Sequence, residues 1–249
     1  MDEEIYEKII AKKGFSQLPR EDVKRAFVHF EKRQVSDEEK IRLTRELLHK
    51  IFGVFASGKL LSPKDKDIEW ILRKHVSTRE RLPYYKEIYE RLLGNETSVI
   101  DLGAGINGFS YEFFPQKVNY VAVEAVGQLV NLMNNYFKRK KLNARAINVS
   151  LFELEKIKKL IKAQLGKRIV FLFKVLDSLE MLERDYSKKL LKEIAPFANK
   201  IIVSFATRSI GKRKSFNANR KWLLDFIEKE FKILDDFEVG GERYLVFSK

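Results

Sequence analysis

Hydrophobic and polar positions along this chain follow two periods, and the change from one to the other falls near residue 98. Up to about residue 92 the apolar residues recur at helical spacing with charges between them. Ile5, Ile9 and Ile10 share one face, Val23, Phe27 and Phe30 another, and Ile41, Leu47, Leu48 and Ile51 a third. Nothing in this stretch reads as a strand. Pro19 and Ser36-Asp37-Glu38-Glu39 look like helix starts, the second with Ser36 as N-cap and Glu39 three residues on. An N-terminal helical domain over residues 1–92 is expected.

From residue 98 short β-rich runs alternate with helical stretches. Ser98 to Leu102 is a strand followed by a glycine turn; Tyr120 to Glu124 is the next, then a helix around Gln128 to Lys140 and a third strand from Ala144 to Val149. Leu154, Ile157, Ile161 and Leu165 mark an amphipathic helix, and Ile169 to Phe173 is a wholly apolar fourth strand. A helix near Tyr186 to Ala195, a fifth strand from Lys200 to Phe205 and a helix carrying Trp222, Leu223, Phe226 and Ile227 follow. Phe231 to Val239, Gly240-Gly241 and Glu242 to Ser248 read as a closing hairpin. This alternation predicts an α/β fold over residues 93–249: a mostly parallel, Rossmann-like sheet with helices on both faces and a C-terminal antiparallel hairpin.

Composition narrows the function classes. A length of 249 residues suits one medium-sized domain with a modest appendage. Zero cysteines exclude disulfides, Cys-ligated zinc and thiolate attack on a pyrimidine ring. No run approaches the roughly 20 apolar residues that span a bilayer, and the acidic start Met1-Asp2-Glu3-Glu4 is unlike a signal peptide. A cytoplasmic address, no membrane partner and a monomer are expected. The formal charge of +14 favours a polyanionic partner, because Lys and Arg that neutralise phosphates release counterions. A charged, solvated surface of the heat-adapted kind is the alternative reading of the same composition.

The chemistry belongs at the carboxyl ends of the strands, near the topological switch point. Gly103-Ala104-Gly105-Ile106-Asn107-Gly108 is GxGxxG in form, and Glu124 lies about 20 residues on. Two classes use such a turn, dinucleotide enzymes and S-adenosylmethionine (SAM) methyltransferases. Both need close backbone approach and an acid for ribose hydroxyls. Asp101, two residues before the first glycine, suits the cationic end of SAM, whereas a nicotinamide site usually has an apolar residue there. SAM is therefore the favoured cofactor, and an NAD-binding Rossmann enzyme the alternative.

Further motifs carry a family resemblance. His75-Val76-Ser77-Thr78-Arg79-Glu80-Arg81-Leu82, Leu172-Phe173-Lys174-Val175-Leu176, Val203-Ser204-Phe205-Ala206-Thr207-Arg208-Ser209 and Gly241-Glu242-Arg243-Tyr244-Leu245-Val246 stand in order along the chain. They resemble, in order and spacing, the aminoglycoside-resistance 16S rRNA (guanine-N7) methyltransferases, a class I SAM-dependent family. Ile9-Ile10-Ala11-Lys12-Lys13 is similar too, so the resemblance covers nearly the whole chain. It implies a helical N-terminal domain that helps dock the small ribosomal subunit, a SAM-binding Rossmann-like domain, and methylation of a decoding-site guanine at N7 in 16S rRNA. It would place Arg79 or Arg81 against the methionine carboxylate of SAM. Gly103, Ala104 and Gly105 would pass the methionyl part, Glu124 would hold the ribose, and Asn148 and Val149 would line the adenine. Another RNA or rRNA position remains an alternative target.

The chain departs from the family pattern at three places. Asn148 stands where the family usually has an acid; Gly103-Ala104-Gly105-Ile106-Asn107-Gly108 replaces Ala-Cys-Gly-Leu-Asn-Pro; and Ala206 replaces proline in Ser-Phe-Pro-Thr, loosening the backbone near the expected target base. After the fourth strand, Lys174-Val175-Leu176-Asp177 is unlike the (Asp/Asn)-Pro-Pro-aromatic motif of exocyclic-amine methyltransferases. Ring-nitrogen or ribose methylation remains.

Guanine N7 presents a lone pair, so in-line attack needs alignment and a suitable field more than a general base. Lys174, Phe205 and Arg208 are the candidate active-site residues, Phe205 as a stacking surface for a flipped base or simply as a core residue at a strand end. The acid-free stretch Arg208 to Leu224 supplies the expected RNA grip through Lys212, Arg213, Lys214, Arg220 and Lys221. A second basic cluster, Lys138 to Lys141 with Arg145, reads either as a solvated face or as a further grip on the substrate. Three scattered histidines form no metal-ligand pattern, and no metal is expected.

Overall fold

The computed structural model describes residues 1–12, 14–52, 67–207 and 220–249. In its N-terminal part lie helices α1 (Glu3–Ile10), α2 (Arg20–Glu31), α3 (Asp37–Phe52), α4 (Ile68–Leu72), α5 (Val76–Arg81) and α6 (Tyr85–Leu92). Local chemistry sets their starts. The Asp2 carboxylate accepts from the Ile5 amide at 2.9 Å, and the Ser36 hydroxyl accepts from the Glu39 amide at 3.3 Å. Acids in the first turns of α1, α2 and α3 sit at the positive ends of the helix dipoles. Ile9, Val23, Phe27, Ile41, Leu48 and Ile51 are all buried, so the stripes read from the sequence do face the core.

Among the described residues seven strands follow: β1 (Ser98–Leu102), β2 (Asn119–Glu124), β3 (Ala144–Asn148), β4 (Arg168–Phe173), β5 (Lys200–Ala206), β6 (Lys232–Val239) and β7 (Glu242–Ser248). They make one sheet in the order β3-β2-β1-β4-β5-β7-β6. Strands β1 to β5 are parallel, and β7 runs antiparallel between β5 and β6. Helices α7 (Gly127–Lys140), α8 (Leu154–Lys162), α9 (Leu176–Leu182), α10 (Tyr186–Ile194) and α11 (Lys221–Glu230) complete the wound pattern. Every residue of β1, and every residue of β4 but its first, is buried. That is why these central strands read as near-continuous apolar runs.

Two elements differ from the sequence pattern. The amphipathic helix stops at Lys162, and Leu165, counted with its apolar stripe, is 85% exposed. The chain turns there because Gly166 adopts φ +71° and the Leu165 carbonyl accepts from the Ser98 hydroxyl at 2.8 Å. Helix α9 was not among the expected elements. It is short, and only Leu176, Leu179 and Leu182, all buried, mark its inner face.

The hairpin matters most for the site. Because β7 is antiparallel to β5, its first residue pairs with the last of β5, Glu242 opposite Ala206. The antiparallel insertion thus brings a carboxylate to the carboxyl edge of the parallel strands.

Candidate active site

The strand order reverses between β1 and β4, and the glycine turn leaves β1 at that point. The amides of Gly103 and Ala104 donate to the Val123 carbonyl at 2.9 and 3.1 Å, folding the turn back onto β2. Gly103 has φ +73°, and a Cβ there would lie 2.4 Å from Val175 Cγ2. Glycine is therefore required by both conformation and space. Glu124, at the end of β2, accepts from the Gly105 amide at 2.7 Å and the Val126 amide at 2.9 Å. Burial pushes its carboxyl upward, and those amides oppose the shift.

A cleft of about 750 Å³, open mouth included, lies over this turn. Gly103, Ala104, Gly105 and Ile106 form its floor, with Glu124, Ala125 and Leu151 on one side and Phe173, Lys174, Val175, Ser178, Leu179 and Leu182 on the other. The helical region closes it with Asp22, Ile51, Phe52, His75, Ser77, Thr78 and Arg81. Residues assigned from sequence to docking thus also wall the cavity.

A buried ionic cluster stands at the Arg81 end. Arg81 grips Glu242 with Nε at 3.1 and 3.0 Å from the two carboxylate oxygens and Nη2 at 2.9 Å from Oε1. Lys174 Nζ is 3.0 Å from Glu242 Oε2 and 2.9 Å from Glu80 Oε2, and the Ser204 hydroxyl donates to Glu242. Burial alone would raise the Glu242 carboxyl; Arg81 and Lys174 outweigh it and hold it below its usual range. His75, in the same wall, is driven down to about 3 by burial and then by Arg81, Lys174 and Arg79. Its imidazole is neutral at physiological pH. Lys174 takes φ +54°, held there by its amide, which donates to the carbonyl and the hydroxyl of Ser204 at 3.2 and 3.1 Å.

Asp101 is fully buried one layer behind the turn rather than in the cavity wall. Its Oδ2 accepts from Asn107 Nδ2 at 2.7 Å and from the Tyr120 hydroxyl at 2.6 Å, while Oδ1 has no partner among the described residues. Burial raises its carboxyl against both hydrogen bonds. Asn107 relays it outward, its Oδ1 accepting from the Tyr85 hydroxyl at 2.8 Å and from Arg81 Nη1 at 3.4 Å.

The remaining sequence candidates fall in different places. Of the two arginines, Arg81 is in the wall and Arg79 is exposed outside it. Asn148 is exposed, its Nδ2 donating to the carbonyls of Glu124 and Ala125 at 3.1 and 2.7 Å; Val149 is buried behind it. Phe205 is only 4% exposed, with the Arg220 guanidinium 5.0 Å above its ring, so a base could stack there only after Arg220 moved. Arg220 itself holds Asp177 through two hydrogen bonds, at 3.1 and 2.5 Å, and reaches the Ala206 carbonyl at 3.1 Å. This makes it a clasp between α9 and the end of β5. Lys221 is exposed and paired with Asp225 at 2.7 Å. Arg208, Lys212, Arg213 and Lys214 lie outside the described residues.

The sequence reading missed Asp22 and the partnership of Glu242. Asp22 follows Arg20-Glu21 in a first helical turn, where an acid is ordinarily a solvated dipole partner. Its signal was its place beside Val23 and four residues before Ala26, on the buried face. In the sequence Glu242 reads only as the first residue of the closing strand and a member of the Gly241 to Val246 motif, with no partner assigned.

These residues suit SAM. The turn leaves no room for a Cβ at Gly103, Glu124 offers an anionic acceptor at the end of β2, and Arg81 offers guanidinium edges at the opposite end. Asp22 Oδ2, buried in the wall, is an acceptor with no partner among the described residues. The sheet with its inserted antiparallel β7, the glycine turn and the acid closing β2 define a class I methyltransferase.

Comparison with known proteins takes this further. The family described as ribosomal RNA methyltransferase (FmrO) matches residues 48–223. This chain belongs to that family. It is 24% identical to the 16S rRNA (guanine(1405)-N(7))-methyltransferase of Proteus mirabilis, covering 99% of this chain and 97% of the relative. With the enzyme of the same description from Serratia marcescens the identity is 25%, over 97% and 96%. The crystal structure of the 16S rRNA methyltransferase RmtF in complex with S-adenosyl-L-homocysteine superposes with a TM-score of 0.80 over 100% of both chains at 24% identity. That of the 16S rRNA methylase RmtB gives 0.77 over 98% of both at 20%. Membership of an RNA methyltransferase family displaces the NAD-enzyme alternative.

Proposed function

We propose that this protein transfers a methyl group from SAM to N7 of a decoding-site guanine in 16S rRNA, acting on the small ribosomal subunit in the cytoplasm. The observation that carries the reading is the junction of two features. A cavity floored by Gly103 to Ile106 and flanked by Glu124 and Arg81 lies within a chain whose family acts on ribosomal RNA. Among the described residues no helix is long and apolar enough to cross a membrane.

When bound, SAM supplies an electrophilic sulfonium methyl. The chain's residues divide the remaining tasks. Glu124 accepts hydrogen bonds from ribose hydroxyls with the acceptor capacity left beyond the Gly105, Val126 and Ala125 amides. Arg81, anchored on Glu242 and with Nη1 donating to Asn107, lines the cavity and holds the methionine carboxylate. Asp101 lends negative charge beneath the turn. Apolar walls from Ile51, Phe52, Leu179 and Leu182 exclude water, so these charges act in a poorly screened medium.

No residue is asked to remove a proton, because guanine N7 attacks with its own lone pair. The neutral His75 and the ion-paired Lys174 are consistent with that. Lys174 contributes position and field at the mouth. Residues 1–92 act as the ribosome-docking domain as well as a cavity wall, and residues 93–249 as the catalytic domain. The cations Arg208, Lys212, Arg213 and Lys214, with Lys221, grip rRNA phosphates.

Small subunits from an unmodified source, incubated with methyl-labelled SAM and the protein, should incorporate close to one methyl per subunit. Large subunits should incorporate none. Absence of label in small subunits, with SAM binding intact, would overturn the target assignment.

A further inference from the structure

The parts of the cavity above account for a ribose and an amino-acid end, and leave a buried carboxyl group in the wall without a task. Asp22 comes from α2, in the helical region, yet it lines the cavity with Glu124, Ala125 and Leu151. It is 3% exposed. Its carboxylate accepts from Ser150, two residues past the tip of β3, while Oδ2 has no partner among the described residues.

An orphaned carboxylate oxygen is expensive to keep in a protein interior, of the order of 1–3 kcal/mol or more. Asp22 forms no ion pair among the described residues, and the strongest charges acting on it there, Glu124 and Glu21, are of its own sign. A core position with no further purpose would be filled by an apolar residue, as its neighbours Val23, Ala26 and Phe27 are. Ile51, Leu151, Leu179 and Leu182 line the same cavity and make its walls largely apolar, so it suits a flat heterocycle whose N–H donor meets Asp22. Asn148, the polar residue at the tip of β3, has its amide group tied to backbone carbonyls and stands outside the wall.

We infer that Asp22 is the nucleobase-reading residue of this cavity, its Oδ2 accepting a hydrogen bond from the exocyclic amine of adenine. The helical region then takes part in cofactor selection as well as closure. Glu124 serves the ribose from β2, and Asp22 serves the base from α2. This assignment rests on the reading of the cavity as a SAM site.

The test uses the intact protein and titration calorimetry with two ligands, S-adenosylhomocysteine and its analogue with hydrogen in place of the 6-amino group. The wild type should favour the amine-bearing ligand at least tenfold, because the analogue leaves Asp22 unpaired. Asp22→Leu should reduce that preference to threefold or less while changing affinity for the analogue by less than threefold. Asp22→Asn, which retains an acceptor oxygen, should keep an intermediate preference. A purely structural role would lower the melting temperature and shift both ligands equally, leaving the preference intact, and that result would overturn the proposal. A wild type indifferent to the amine would overturn it without recourse to any variant. Binding of neither ligand would instead remove the SAM reading on which the proposal stands.

Discussion

Arg81 and Glu242, 161 positions apart in the chain, form a bidentate ion pair that is 3% and 1% exposed. The pair ties the helical region to the inserted strand β7 at the carboxyl edge of the sheet. Its position explains why an arginine expected to meet cofactor is already anchored: Glu242 holds the guanidinium in one orientation, and the Phe173 ring packs 4.8 Å beneath it.

Breaking the pair from one side leaves a buried charge without its partner. Glu242→Gln should lower unfolding free energy by about 3–5 kcal/mol in urea titrations. Lys174→Met should be milder, because Glu242 keeps Arg81. The double variant Arg81→Met/Glu242→Leu should lose less than the sum of its single variants, since neither charge is then stranded.

Gly103→Ala tests the turn. The positive φ and the 2.4 Å approach to Val175 Cγ2 both act against a methyl group. Stability should drop by about 1–3 kcal/mol, and S-adenosylhomocysteine affinity by at least tenfold in calorimetry. Adding Val175→Ala should recover part of the stability, since it removes the Cγ2 clash and leaves the 3.1 Å approach to Cβ and the backbone strain.

Asp22 makes stability depend on pH in a direction opposite to that of an ion-paired acid. Burial lifts its carboxyl from 3.8 to about 7 in the folded protein. Below about pH 4 both folded and unfolded forms hold the proton. As pH rises toward 7 the unfolded chain releases it first, so this contribution is lost through that window. Asp22→Asn has no such group. Without ligand it should melt above the wild type at pH 8, and the difference should shrink by pH 5. Equal differences at the two values would contradict a buried Asp22 carboxyl that titrates near 7.

The sheet and the turn were readable from residues because their determinants are local. Apolar runs marked β1 and β4, and Gly103 to Gly105 with Glu124 declared a turn that needs backbone approach. The partnerships were not readable. Glu242 meets Arg81 only because β7 inserts antiparallel, and Arg220 meets Asp177 across 43 positions, turning an expected RNA contact into an internal clasp. Phe205 lies on a strand whose residues are buried on both faces, where alternation gives no sign of which side a ring takes. Asp22 has the sequence signature of a helix-start acid and the surroundings of a core residue.

The basic stretch makes a separate prediction about grip. Neutralising Lys212, Arg213 and Lys214 together should weaken binding to small subunits and flatten its dependence on salt, with a slope smaller by about 2–3 in logarithmic units. Affinity for S-adenosylhomocysteine should stay within twofold. A parallel loss of both would show that the three residues act on the fold rather than on RNA.

The most direct test of the activity is to map the product. Small subunits treated with the protein and SAM should yield 16S rRNA with one new site of borohydride- and aniline-induced scission, the signature of N7-methylguanine, at a decoding-site guanine. A methyl group found on a ribose, on an exocyclic amine or at a guanine far from the decoding site would contradict the account.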